Sequence, residues 1–261
     1  QAVLTWMRQH NVPAYDELTG RGLVRHIMTR STTSGELMVV VVVTRADIPK
    51  ADRLVELLRA VVPGLCSVCL SVNSRRTNVI LGTDIRVLWG KAAMEDTLCG
   101  LHFAVSPLSF FQVNPKQTEK LYGLALDYAG LTGNETVVVA YCGAGTISLL
   151  LAQKAKKVIG IEIVPEAIQN ANENAARNNI ANAEFRVGAT EEPRPQLVAD
   201  GLRPDVIVLD PPRKGCDPAV LQAIIAAAPK RVVYVSCGAP TLARDAKLLA
   251  EGGYAAEKVQ C

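Results

Sequence analysis

The sequence predicts an α/β protein: a mostly parallel sheet covered by helices on both faces, preceded by a smaller α+β domain. Three observations carry this prediction. From about Val105 onward, short β-branched segments alternate with segments of helical period, the pattern of a doubly covered parallel sheet. Glycine- and proline-rich turns follow three of those strands: Tyr141-Cys142-Gly143-Ala144-Gly145-Thr146, then Asp210-Pro211-Pro212-Arg213-Lys214-Gly215, then Val235-Ser236-Cys237 with Gly238 behind it. The first hundred residues lack this alternation.

The expected division is a domain over 1–104 and a second over 105–261. In the first, 23–29 and 36–44 read as a strand pair joined through Ser31-Thr32-Thr33-Ser34-Gly35. A helix over 51–62 places Leu54, Leu57, Leu58 and Val61 on one face. Further strands are expected near 68–72, 78–81 and 101–105, and no internal repeat is visible. In the second domain the strands are 137–141, 158–163, 183–187, 205–210 and 231–236, each β-branched and bounded by polar or turn residues. The helices between and after them are 146–154, 165–178 starting at a proline, 218–228 and 241–252.

Composition narrows the class without naming it. The chain is 49% apolar and 20% charged, which suits a folded globular protein. Its longest aliphatic run, 37–43, falls far short of the roughly 20 residues that cross a bilayer, so no membrane partner is expected. The opening Gln1-Ala2-Val3-Leu4-Thr5-Trp6 has neither a basic start nor a cleavage site, and the chain begins as though within an element. Seven irregularly spaced cysteines point to free thiols in a reducing, cytoplasmic setting. Cys66-x-x-Cys69 has no second pair or neighbouring histidines, so no metal is expected. A net charge of +3 means that nucleic-acid binding needs a local basic face, with Arg21, Arg25, Arg75, Arg76 and Lys116 as candidates against the alternative of solvated surface charge.

The turns suggest chemistry. Gly143 and Gly145 allow a ligand to approach backbone amides at a helix start, and Glu162, ending the next strand, is placed to accept ribose hydroxyls. The alternative for Glu162 is a solvated strand-end acid. Asp210-Pro211-Pro212 ends a strand at the sheet's carboxyl edge, and its two prolines form a rigid wall suited to a flat base. The alternative is a proline-rich loop with a salt-bridged aspartate. Cys237 stands between a strand and a helix, where amide dipoles favour a thiolate, although a buried structural role is the commoner fate of a cysteine. Cys66, Cys69, Cys99, Cys142 and Cys216 fit that structural role or chance exposure.

Five blocks in order carry a family resemblance: Ser109-Phe110-Phe111-Gln112-Val113-Asn114-Pro115, Tyr141 to Thr146, Ile161-Glu162-Ile163-Val164-Pro165-Glu166, Asp210 to Gly215, and Val235-Ser236-Cys237 with Thr241-Leu242-Ala243-Arg244-Asp245 behind it. They resemble the S-adenosylmethionine-dependent RNA uracil-5-methyltransferases, and residues 14–26 resemble that family's central domain. The resemblance implies a Rossmann-like methyltransferase sheet, S-adenosylmethionine as cofactor, and RNA as partner, ribosomal 23S first and tRNA second. It implies cofactor contacts from Gln112, Tyr141, Gly143, Gly145, Thr146, Glu162 and Asp210. Cys237 would be the nucleophile that adds to carbon 6 of uracil and makes carbon 5 reactive. Phe110, Phe111 and Pro211 would face the extruded base, and Arg213 would meet an enolate oxygen or a phosphate unless it is a surface ion pair.

The chain departs from the family pattern at Val139, where an acid is usual, and at Gly238-Ala239-Pro240-Thr241, where Asn-Pro-Ala-Thr is common. The family's general-base glutamate, its N-terminal barrel and its iron-sulfur cysteines fall outside residues 1–261. Two competitors follow: cytosine-5 methylation, whose Thr-Cys and Pro-Cys contexts do not occur here, and a module that holds RNA and cofactor without turnover. A monomer is expected.

Overall fold

The computed structural model describes residues 1–188 and 203–260. They form two compact units: Gln1–Thr97 with Ala104–Ser109, and Leu98–Phe103 with the chain from Phe110 onward.

In the first unit, α1 (Ala2–Gln9), β1 (Val24–Ser31), β2 (Leu37–Val43), α2 (Ala51–Val61), β3 (Leu65–Val72) and β4 (Asp84–Gly90) build a sheet of order β1-β2-β3-β4. β1 pairs antiparallel with β2, β2 runs parallel to β3 across the α2 connection, and β3 pairs antiparallel with β4. Trp6, Leu54 and Leu58 pack on Val39, Val41, Val43, Val68 and Leu70; of the stripe expected on α2, Leu57 is partly buried and Val61 is 63% exposed, while Val55 is buried instead. The Trp6 indole also donates to the Pro49 carbonyl at 3.0 Å, satisfying its one donor.

Two elements here differ from expectation. Residues 78–81 form no strand: the Asn73 side chain donates to the Val79 and Ile80 carbonyls at 2.7 and 3.0 Å, closing the segment into a loop. The true fourth strand is β4, an edge strand with an irregular burial pattern that periodicity does not reveal. Next come β5 (Met94–Leu98) and β6 (Leu101–Val105), paired around Cys99 and Gly100, both left-handed with φ of 49° and 78°. That is the backbone of a two-residue hairpin turn. The cut expected between 104 and 105 lies inside β6.

The second unit continues with α3 (Pro115–Ala129), β7 (Thr136–Ala140), α4 (Thr146–Ala152), β8 (Lys157–Glu162), α5 (Pro165–Arg177), β9 (Ala183–Val187), β10 (Val206–Leu209), α6 (Pro218–Ala227), β11 (Arg231–Tyr234) and α7 (Ala239–Glu251). Its five strands are parallel in the order β11-β10-β7-β8-β9. Alternate residues serve opposite faces. Val137, Val139, Val158, Val206, Val208 and Val233 pack with α3, α4 and α5, whereas Val138, Ala140, Ile159, Ile161, Ile207 and Leu209 pack with α6 and α7. Burial on both sides explains why these strands read as unbroken apolar runs.

Candidate active site

The strand order places one topological switch point in the second unit. From β7 the chain proceeds outward through β8 and β9, then crosses to β10 and β11 on the other side. In open α/β sheets ligands bind at such a point, beyond the carboxyl ends of the flanking strands, here β7 and β10. The residues that directly follow those ends are Tyr141 and Asp210, and the Asp210 amide donates to the Ala140 carbonyl. β11 lies on the far side of β10 with Tyr234 level with Leu209, which brings the Cys237 segment to the same edge.

The glycine turn has the geometry the sequence implies. Tyr141, Gly143 and Gly145 all have positive φ, at 62°, 52° and 83°. For a tyrosine that conformation costs on the order of 1–2 kcal/mol and persists only where the surroundings impose it. A Cβ on Gly143 would enter open space, whereas one on Gly145 would lie 2.9 Å from the Phe185 ring. The first glycine therefore keeps an approach to the backbone clear, and the second lets α4 start close to the sheet. Glu162 pins the turn: its Oε2 accepts from the Gly143 amide at 3.1 Å, and its Oε1 from the Ile163 and Val164 amides at 2.9 and 3.1 Å. Oε2 retains acceptor capacity for a ligand hydroxyl. Thr146 is the first residue of α4, behind the Gly145 cap.

Asp210 directly follows β10 at this edge. Burial alone drives its carboxyl up from 3.8 to about 6, and no described hydrogen bond or cation offsets that cost. A carboxylate desolvated in this way is matched to a cationic ligand group. Tyr122 of α3, which the sequence did not single out, is pushed up to about 12 by burial and by the Asp210 charge, with a hydrogen bond from Gln112 opposing the shift. Gln112, Tyr122 and Asp210 thus gather at one place. The Cys142 thiol, by contrast, is buried and held far above the usual thiol range, so it belongs to the core.

Cys237 is an exposed free thiol immediately before Gly238, the residue that caps α7. The turn is fixed by its neighbours. Ser236 Oγ accepts from the Gly238 amide at 3.1 Å, and Thr241 Oγ1 donates to the Gly238 carbonyl at 2.9 Å. A Cβ at Gly238 would lie 3.7 Å from the Arg213 carbonyl oxygen, so the proline loop and the cysteine turn run side by side. Arg213 itself is exposed and Pro211 is buried. Phe110 is 75% exposed, whereas Phe111 packs against the core with its ring 5.9 Å from that of Phe103.

Of the candidate RNA-contacting cations in the first unit, Arg25 is corrected by the structure. Its side chain is only 1% exposed, stacks over Tyr15 at 4.5 Å and donates to the Asn73 and Arg75 carbonyls at 3.0 and 2.7 Å. It braces the 73–75 turn and presents no surface charge. Arg21, Arg75 and Arg76 are exposed, as is Lys116 of the second unit.

Fold and site together define a doubly wound α/β protein with an exposed cysteine at the carboxyl edge of its parallel sheet. The family model described as tRNA (Uracil-5-)-methyltransferase matches residues 26–257, and the chain belongs to that family. It is 48% identical over 256 residues to an uncharacterized RNA methyltransferase of Clostridium acetobutylicum, and 50% identical over 261 residues to one of Bacillus cereus. These alignments cover 98% and 100% of this chain but only 56% and 57% of the relatives, so the chain spans a little over half their length. Among solved structures it is similar to Pyrococcus abyssi tRNA (uracil-54, C5)-methyltransferase in complex with S-adenosyl-L-homocysteine. That match has a TM-score of 0.79 at 28% identity, over 95% of this chain and 59% of the other. A putative SAM-dependent methyltransferase from Streptococcus mutans shares the fold, with a TM-score of 0.52 at 14% identity over 82% of this chain and 59% of the other.

Proposed function

We propose that the protein transfers a methyl group to carbon 5 of a uridine in structured RNA, with Cys237 as the nucleophile. The observation that carries this reading is an exposed cysteine at the sheet edge, beside the proline loop that follows the half-buried, desolvated Asp210. S-adenosylmethionine, when bound, supplies an electrophilic methyl on a sulfonium and brings a cationic ammonium. The residues present fit that group: an open glycine turn, a pinned Glu162 for ribose hydroxyls, and in Asp210 a desolvated carboxylate for positive charge. Gln112, Tyr141 and Thr146 would complete the cofactor site at the same sheet edge.

Carbon 5 of uracil is a weak nucleophile, and Cys237 remedies this. Its thiolate forms a bond to carbon 6, and the displaced ring electrons become an enolate across carbons 4 and 5. After carbon 5 has gained the methyl, its proton leaves to a base. The electrons of that C–H bond re-form the double bond, the S–C6 bond breaks, and the thiolate of Cys237 is restored. Arg213, exposed in the loop beside the Cys237 turn, would meet the enolate oxygen or a neighbouring phosphate. Phe110 offers a flat exposed surface for a base out of its stack.

The RNA we assign first is ribosomal 23S RNA, the class expected from the sequence; a tRNA uridine is the second reading, favoured by the acceptor named for the Pyrococcus protein. Both are tested with transcripts carrying tritium at carbon 5 of uracil. Wild-type protein releases tritium from one class in the presence of S-adenosylmethionine, and Cys237→Ala lowers that release by about a thousandfold or more. Release from cytosine-labelled RNA instead, or undiminished release by Cys237→Ala, overturns the reading.

A further inference from the structure

A buried polar network lies directly behind the two loops that meet at the candidate site. Asp245, in α7, is fully buried. Its Oδ2 accepts from the Tyr234 hydroxyl at 2.6 Å and from the Cys216 amide at 2.8 Å, and its Oδ1 accepts from Arg244 Nε at 2.8 Å. The Arg244 guanidinium reaches on to the Lys214 and Cys216 carbonyls at 3.1 and 3.0 Å. A Cβ on Gly215 would lie 2.6 Å from that guanidinium and 2.7 Å from the Asp245 carboxylate, so only glycine lets the loop seat this closely. The Cys216 thiol is buried beside this network, and burial pushes it up to about 11 while the nearby Tyr234 and Tyr141 side chains act against that rise.

The topology of these bonds is informative. Residues 210–216 follow β10, Tyr234 ends β11 and Asp245 belongs to the helix that begins just after Cys237. One carboxylate therefore ties the loop bearing Asp210 and Arg213 to the helix that sets the nucleophile's turn. A buried charge with all its donors in place specifies one arrangement, because any shift leaves it unsatisfied. Packing alone would not need a charged group here, since apolar residues of similar volume commonly serve as well.

Resting on the methyl-transfer reading above, we infer that Asp245, held by Tyr234 and Arg244, is a positioning group that fixes the Cys237 turn relative to the Asp210–Gly215 loop. It touches no reacting atom. Its effect falls on the alignment of sulfur, base and methyl donor, where a displacement of about 1 Å costs on the order of a hundredfold in rate.

The test uses the intact protein with Tyr234→Phe, which removes one hydroxyl, and Asp245→Asn, which removes the charge. For Tyr234→Phe the expected result is a kcat for RNA methylation lowered about tenfold or more, with KM for RNA and the affinity for S-adenosylhomocysteine within about threefold of wild type. Asp245→Asn lowers kcat further; if it does not fold, Tyr234→Phe alone decides. A kcat within twofold of wild type in folded Tyr234→Phe overturns the inference, as does a fall in kcat matched by equal losses in both affinities. A second readout needs no RNA: the rate at which iodoacetamide alkylates Cys237, followed by peptide mass spectrometry. A change of about threefold or more in Tyr234→Phe supports the brace, and an unchanged rate overturns it. If wild type itself methylates no RNA, the methyl-transfer reading fails while the alkylation result still decides the brace.

Discussion

Asp210 is where a single residue's energetics and its use are most clearly opposed. Its carboxyl is raised to about 6 by burial, so the native state holds a proton that the unfolded chain releases near 3.8. Stability is therefore greatest below 3.8 and declines as pH rises through 6, by about 3 kcal/mol for this group. Asp210→Asn removes that penalty: in urea melts at pH 8 it is at least as stable as wild type, with the difference vanishing toward pH 4. The same variant loses affinity for S-adenosylhomocysteine. In wild type, that affinity falls about tenfold per pH unit below 6, because binding the cationic group requires the ionised carboxylate; calorimetry between pH 5 and 8 checks the slope. The sheet-edge positions of Glu162, Asp210 and Cys237 were legible in the sequence because each ends or closely follows a short apolar strand. Tyr122 and Asp245 were not, because nothing in a helix's local pattern reveals which remote carboxylate or loop its polar residue will meet.

At the scale of elements, the glycine turn depends on how closely β8 and α4 approach. A Cβ on Gly160, in the middle of β8, would lie 2.6 Å from the Phe185 ring and 2.9 Å from Cys142 Sγ, directly beneath the turn. Gly160→Ala destabilises the protein by about 1–3 kcal/mol in chemical denaturation and weakens cofactor binding in the same variant. The parallel strands and their helices were readable because burial on both faces demands continuous apolar runs. β4 was missed as an edge strand with one side open. The apolar residues of 78–81 misled because a side chain, Asn73, captured carbonyls that a strand would have paired. The helix α3 carries its signals in plain sight, an Asn114 cap accepting from the Gln117 amide, Pro115 in the first turn and Gly130 at the end with φ 56°, yet its apolar periodicity is weak.

Across the whole molecule, a net charge of +3 supplies little general attraction to a polyanion, so RNA affinity rests on local cations. Arg75 and Arg76 are exposed, whereas Arg25 is enclosed. Arg75→Ala and Arg76→Ala each reduce the slope of log affinity against log salt by about one, and neither moves S-adenosylhomocysteine binding; filter binding between 50 and 200 mM salt measures this. The measurement that bears most directly on the chemistry is capture of the covalent species. Incubated with S-adenosylmethionine and RNA carrying 5-fluorouridine, whose fluorine cannot leave as the proton does, the intact protein should accumulate an adduct. Digestion and mass spectrometry should place one methylated 5-fluorouridine on the peptide containing Cys237, and none on the Cys237→Ala protein. An adduct on another cysteine, or full methylation of ordinary RNA by Cys237→Ala, would contradict a mechanism built on that sulfur.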